Sequence, residues 1–392
     1  MTAEEPAKPF VHDVSGLEAG LLEAVAKAAP LLEPESLCLL RRNPIADEEC
    51  PEVSDVDIVS IWERPEECPE RMTVEVPSGR VFVDILWVPV SKMLDPVDAA
   101  SYKILVHLLL ESETVWMRTP ELINPIIENI KLNAYEKPVW ERRLGQQLQF
   151  GDAAFQEARK NLDFPPAALF FLQTAHAYYL MALADCLKES TMGLVSRPMQ
   201  KLRTMAGRTG SGLEPLIGAN LHLGSDPSAS VEALERVHRR VSARCSDRNP
   251  KGVSGRTQAH YVYSLSPLEL EYRKAVANAL IRRGDMANAN FYIRFWAYSL
   301  SRCPVVLEDA RLGRNPSFYV PFAGFRESLR VACPEIVEDM ELILGGQVTK
   351  AEAEESVAGT VEFRRRVTDQ ILGRGLSPAS RSVLAGAEGM ES

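Results

Sequence analysis

The chain has 392 residues, with 44 Lys and Arg against 54 Asp and Glu, a net charge of −10. At 46% hydrophobic and 25% charged residues it has globular composition, which excludes a disordered tail protein or a fibre, and the acidic balance argues against a nucleic-acid partner. Seven cysteines, an odd number with no C-x-x-C pair, read as reduced thiols without a disulfide framework or a zinc site.

Residues 1–13 read as a loose tail, polar and acidic, which is wrong for a secretory signal. A helical pattern follows from Val14 to about Leu32, with Leu17, Leu21, Leu22, Val25 and Ala28 on one face. Ser36 to Leu40 is an apolar run of strand length. Asp55 to Trp62 is a strand with acidic and apolar positions alternating at its start, and Met72–Val76, a Ser78-Gly79 turn and Arg80–Val88 read as a hairpin.

After Pro96 nearly everything looks helical: 99–110, 120–134, 139–162 and 164–188, then a short basic helix near 196–205. The stretch 207–230 is rich in Gly, Ser and Pro and reads as loop, as does 245–255. A helical block spans 266–345, broken near Pro304 and Pro316, and a last helix covers about 350–372. The expected fold class is α+β, a small N-terminal mixed sheet with helices followed by a large all-α region. The expected divisions are 14–96, 97–206, a loop-rich linker with a helix at 207–265, 266–375, and a mobile tail at 376–392.

Phe164 to Ala184 carries no Asp, Glu, Lys or Arg, so its length permits a membrane span. Gln173, Thr174 and His176, with no flanking basic cluster, make it a buried core helix instead. No membrane partner is expected, and the setting reads as cytoplasmic. Residues 167–179 share a small-plus-aromatic composition with 289–298, as two helices at the centre of a bundle would.

The strongest chemical signal is Ser54-Asp55-Val56-Asp57-Ile58-Val59. Residues two apart on a strand share a face, so Asp55 and Asp57 project together about 6–7 Å apart. Like charges placed so repel, and a divalent cation between them removes the conflict. Asp84 lies in a second apolar strand, Val81 to Val88, where an unpaired carboxylate costs several kcal/mol. Three carboxylates on neighbouring strands suit magnesium ions that clamp a phosphoryl displacement.

Ser-Asp-Val-Asp-Ile-Val followed by Val-Asp-Ile-Leu resembles the polymerase-β-type nucleotidyltransferase superfamily, whose smaller members join a short catalytic α+β domain to a helical domain, as in the aminoglycoside nucleotidyltransferases. The resemblance covers about residues 14–205. It implies a nucleotidyltransferase-like domain at 14–96 with Asp55, Asp57 and Asp84 as Mg2+ ligands. Asp84 would also be catalytic, activating the acceptor hydroxyl. Ser54 would sit beside the nucleotide, and Lys201 would reach its phosphates from the helical part. The chain departs from the family where a Gly-Ser turn usually follows the strand before D-x-D: here stand Arg41-Arg42-Asn43-Pro44. Arg41 and Arg42 would then clamp phosphate as guanidiniums, which bind it bidentately.

The activity so implied is ATP-type: transfer of a nucleoside monophosphate from a nucleoside triphosphate to a hydroxyl or other nucleophile of a small-molecule acceptor by two-metal-ion chemistry, releasing pyrophosphate. Two alternatives stay open. One is a catalytically degenerate fold that binds a nucleotide or a partner; the other is a scaffold whose strand acids pair with arginines such as Arg41 and Arg42. His176, on an apolar helix, reads as a core histidine, and Arg282-Arg283-Gly284 as a helix C-cap. Dinucleotide, P-loop, serine-hydrolase and zincin motifs are absent from the sequence.

Overall fold

The structure, a computed structural model, describes residues 17–42, 55–65, 69–77, 79–189, 191, 194, 197–209, 212–245, 264–312 and 325–373. Helix α1 (Leu17–Leu32) leads into strands β1 (Cys38–Arg42), β2 (Asp55–Trp62), β3 (Pro69–Val76) and β4 (Gly79–Pro89). Helices α2 (Pro96–Ser101) and α3 (Lys103–Leu110) precede strand β5 (Ser112–Met117) and α4 (Pro120–Asn133). Next come α5 (Lys137–Lys160), α6 (Pro165–Cys186), α7 (Pro198–Thr209), α8 (Leu213–Asn220) and α9 (Ser228–Cys245). The remainder is α10 (Pro267–Arg282), α11 (Met286–Arg311), α12 (Phe325–Ala332), α13 (Val337–Ile343) and α14 (Lys350–Leu372). The fold class is α+β, as the sequence implies.

The described residues form two compact units. The first draws on 1–99, 108–133 and 254–279, the second on 100–107, 134–253 and 280–392.

In the first unit five strands make a mixed sheet in the order β3-β4-β2-β1-β5. β2 and β4 run parallel, while β3 pairs with β4, and β1 with β2 and β5, antiparallel. Strand side chains alternate between faces, and β2 and β4 sort theirs accordingly. Val56, Ile58, Trp62, Val81, Val83, Ile85 and Trp87 pack with Leu21, Ala24, Val25, Ala28 and Leu32 of α1 in one buried cluster. That burial fixes the register, since a one-residue slip would turn the apolar set outward. Asp55, Asp57 and Asp84 therefore point to the opposite face. The expected hairpin is present, with Val76 opposite Gly79, whose φ of 136° suits glycine.

Three elements differ from the sequence expectation, the first being α11, which runs on through Pro304 where a break is expected. β5 stands between two expected helices, in a stretch to which no strand is assigned: Ser112–Met117 is an edge strand, and β1 supplies its pairing. Helix α8 occupies part of the glycine-rich stretch read as loop, because Leu213 and Ile217, one turn apart, are both buried.

In the second unit α6 is buried all round, as a core helix is. It is long and apolar enough to cross a membrane, and 89% of its most apolar window is buried by protein. Gly151 of α5 admits the Tyr179 ring of α6 so closely that a Cβ there would lie 2.5 Å from it. The two similar helices, α6 and α11, meet through Phe170 and Tyr298, stacked at 3.6 Å, and Gln173 donates to the Phe291 carbonyl at 2.8 Å. A fully buried Arg143 holds Asp185 through two hydrogen bonds of 2.6 and 2.7 Å, with His107 3.6 Å away. Burial alone would raise the Asp185 carboxyl, but the hydrogen bonds from Arg143, with His107 close by, hold it below its ordinary value. Gly284, at φ 75°, follows Arg282 and ends α10, as the sequence indicates.

Candidate metal centre

The parallel pairing of β2 and β4 sets Asp57 directly opposite Asp84, with Asp55 two residues back on the same face of β2. One carboxylate oxygen from each lies within 4.8 Å of the other two, which is within reach of a single hard cation. Each side chain keeps about a quarter of its surface open, at 22% for Asp55, 28% for Asp57 and 25% for Asp84. The sheet thus brings together all three acids that the sequence picks out.

Two arginines flank them. Arg42, the last residue of β1, donates to Asp57 Oδ2 at 2.8 Å and to Glu111 at 3.1 Å. On the other side Arg71 of β3 stands opposite Asp84 in register and donates to Asp84 Oδ2, with Asp55 3.5 Å away. Across the sheet the order is Arg71, Asp84, Asp57, Arg42: two acids between two guanidiniums.

Helix α10 closes the Arg71 side. Glu269 accepts from Arg71 Nε at 2.9 Å and also from Arg273, and the Tyr272 ring lies 3.6 Å from the Arg71 guanidinium carbon. Phe82 meets Tyr272 edge-on at 4.8 Å.

Burial, seconded by the charge of Asp55 and opposed by Arg42, raises the Asp57 carboxyl. Asp84 is pushed well above its ordinary range, first by burial, against the pull of Arg71 and with further upward pressure from Asp55 and Glu269. The two arginines leave a residual conflict of like charges. Asp84 Oδ1 is buried without a hydrogen-bond partner among the described residues. An orphaned carboxylate oxygen beside two further carboxylates fits a divalent cation, whose charge would reverse that upward pressure.

The other expected site residues are placed as follows. Arg41 lies on the opposite face of β1 and pairs with Glu113 of β5. Lys201 belongs to α7 in the second unit and lies 3.6 Å from Glu189. Ser54, Asn43 and Pro44 fall outside the described residues. His176 is a core histidine: its Nδ1 donates to the Leu172 carbonyl at 2.7 Å, and burial lowers its pKa to about 4.

Arg71 and Glu269 are the site residues that the sequence alone does not single out. The one available signal was indirect, since a lone acid in an apolar strand demands a counter-charge without saying which residue supplies it.

No protein-family model matches the chain, and no curated protein sequence matches it. A solved structure of a "nucleotidyltransferase-like protein" from Exiguobacterium sibiricum 255-15 aligns with 82% of this chain and 90% of that one, at 11% identity and a TM-score of 0.28.

Proposed function

We propose that this chain is a magnesium-dependent nucleotidyltransferase that transfers a nucleoside monophosphate from a nucleoside triphosphate, such as ATP, to a hydroxyl or other nucleophile of a small-molecule acceptor, releasing pyrophosphate. The convergence of Asp55, Asp57 and Asp84 on one face of the sheet carries the reading. These three residues would hold Mg2+, which supplies electrostatic stabilisation of charge on the phosphoryl oxygens when bound. Asp84 would in addition accept the proton of the acceptor hydroxyl. Arg42, 23% exposed, is the guanidinium best able to exchange its carboxylates for a triphosphate, with Ser54 as a further nucleotide contact. The setting proposed is the cytoplasm, with neither a membrane nor a polynucleotide as partner.

A second reading, the degenerate fold that binds nucleotide or partner without turnover, is favoured by one observation. Both arginines at the position of the missing Gly-Ser turn are engaged by carboxylates, Arg41 by Glu113 and Arg42 by Asp57 and Glu111.

The test is thermal stability with ATP, GTP, CTP and UTP, each with and without magnesium, for the wild type and Asp55→Asn/Asp57→Asn. A ligand that binds only the folded protein at a hundredfold excess over its Kd adds about 2.7 kcal/mol. A magnesium-dependent rise with one triphosphate, absent in the double variant, is the expected result. No rise with any triphosphate in either protein would count against the transferase and leave the degenerate, partner-binding fold or the scaffold in front.

A further inference from the structure

Arg42 and Arg71 both face the acid triad, yet they are held very differently. Arg42 keeps 23% of its side chain exposed and has carboxylate contacts alone among its hydrogen bonds in the site. Arg71 is 1% exposed and gripped from several sides. Its Nε donates to Glu269, its Nη2 to Asp84 and its Nη1 faces Asp55, while Tyr272 covers the face of the guanidinium. Withdrawing a guanidinium from such a seat strips it of three carboxylates and an aromatic face at once, with Glu269 left to Arg273. Arg71 therefore stays when a metal arrives.

Where it stays matters. The two Nη atoms lie against Asp55 Oδ2 and Asp84 Oδ2, along one edge of the triad. A pair of divalent ions about 3.5–4 Å apart would need the acids of that edge for one of them. The orphaned Asp84 Oδ1 is left for an ion on the Asp57 side.

We propose that Arg71 is a resident cation occupying one of two cation positions, so that the centre takes a single divalent ion beside a fixed guanidinium. This rests on the reading of Asp55, Asp57 and Asp84 as metal ligands. Glu269 and Tyr272, contributed by α10, are its positioning residues.

The probe is Mn2+ alone, titrated into the full chain and counted by the loss of the free-ion electron paramagnetic resonance signal. The wild type and Arg71→Lys, which keeps the charge, are expected to bind one Mn2+ per chain, and Asp57→Asn to weaken that binding at least tenfold. Arg71→Met is expected to bind two, with the spectral broadening of spin-coupled ions. Arg71→Met/Glu269→Gln removes both charges of the pair while keeping an acceptor for Arg273, so it provides the same count should the single variant fail to fold. Two ions in the wild type would overturn the resident cation while leaving the metal centre standing. One ion of unchanged affinity in the methionine variants would do the same. No bound ion in the wild type, with Asp57→Asn identical to it, would instead remove the metal reading and this inference with it.

Discussion

Asp84 gives one oxygen to Arg71 and keeps the other buried and unpartnered among the described residues. Asn at this position preserves size and one acceptor while removing the charge. If the chain is a transferase, Asp84→Asn should lower pyrophosphate release by about a hundredfold or more, the scale of losing one electrostatic contact to a transition state. If it is a binding module, the same variant should retain its triphosphate-dependent rise in thermal midpoint.

His176 allows a second residue-scale prediction. Its Nδ1 proton is committed to Leu172, so a second proton would have to enter at Nε2, which lies 3.5 Å from the Asn220 amide in a fully buried site. The folded pKa of about 4 sits below the ordinary 6.5, so the unfolded chain takes the proton first as pH falls. Stability from this residue is complete above about pH 6.5 and is lost down to about pH 4, roughly 3 kcal/mol in all. Urea unfolding at intervals across that window should show a steep loss in the wild type and a much flatter line in His176→Gln. Asp185, whose pKa is lowered by its partners, acts lower, in the acid range below its usual value of 3.8. Removing its partner with Arg143→Met should cost about 3–5 kcal/mol in urea unfolding at neutral pH, and Arg143→Met/Asp185→Leu should recover most of it.

At the scale of elements, β2 and β4 were legible because each alternates an apolar core face with a second face, and their acids stand out against that pattern. The residues of β5 carry no such sign. Glu113, Thr114 and Val115 are all exposed, and the strand exists because β1 offers it an edge. The seat of Arg71 was hidden for a related reason: Glu269 lies 198 residues away, and no local periodicity reports a contact of that range. Packing of α5 on α6 is the helical counterpart, legible as apolar composition but not as the close approach at Gly151. Tyr179 cannot yield there, because its hydroxyl donates to Asp152 at 2.8 Å, and Asp152 is itself held by Arg364 at 2.6 and 2.9 Å. Gly151→Ala should therefore cost about 1–3 kcal/mol, read as a lowered urea midpoint.

At the scale of the molecule, the first unit is assembled from three stretches of chain, and the last of them supplies the cover for Arg71 and Phe82. A chain ended after residue 133 would keep every strand and all three aspartates yet leave Arg71 without Glu269 and Tyr272. Such a fragment should melt well below the full protein and, with Arg71 unfastened, take up more than one Mn2+ per chain, as a titration alongside the intact chain would reveal.

That discontinuity also sets an order of events at the ribosome. The strands of the first unit are all synthesised before residue 133, but residues 134–253 of the second unit must follow before the segment bearing Glu269 exists. At 5–20 residues per second the delay is on the order of ten seconds. Throughout it the nascent sheet carries a triad of acids and a guanidinium still without Glu269 and Tyr272. A divalent ion bound during that interval would meet Asp55 and Asp84 before α10 has fastened Arg71 between them. Arrival of α10 would then give that edge of the triad back to the guanidinium.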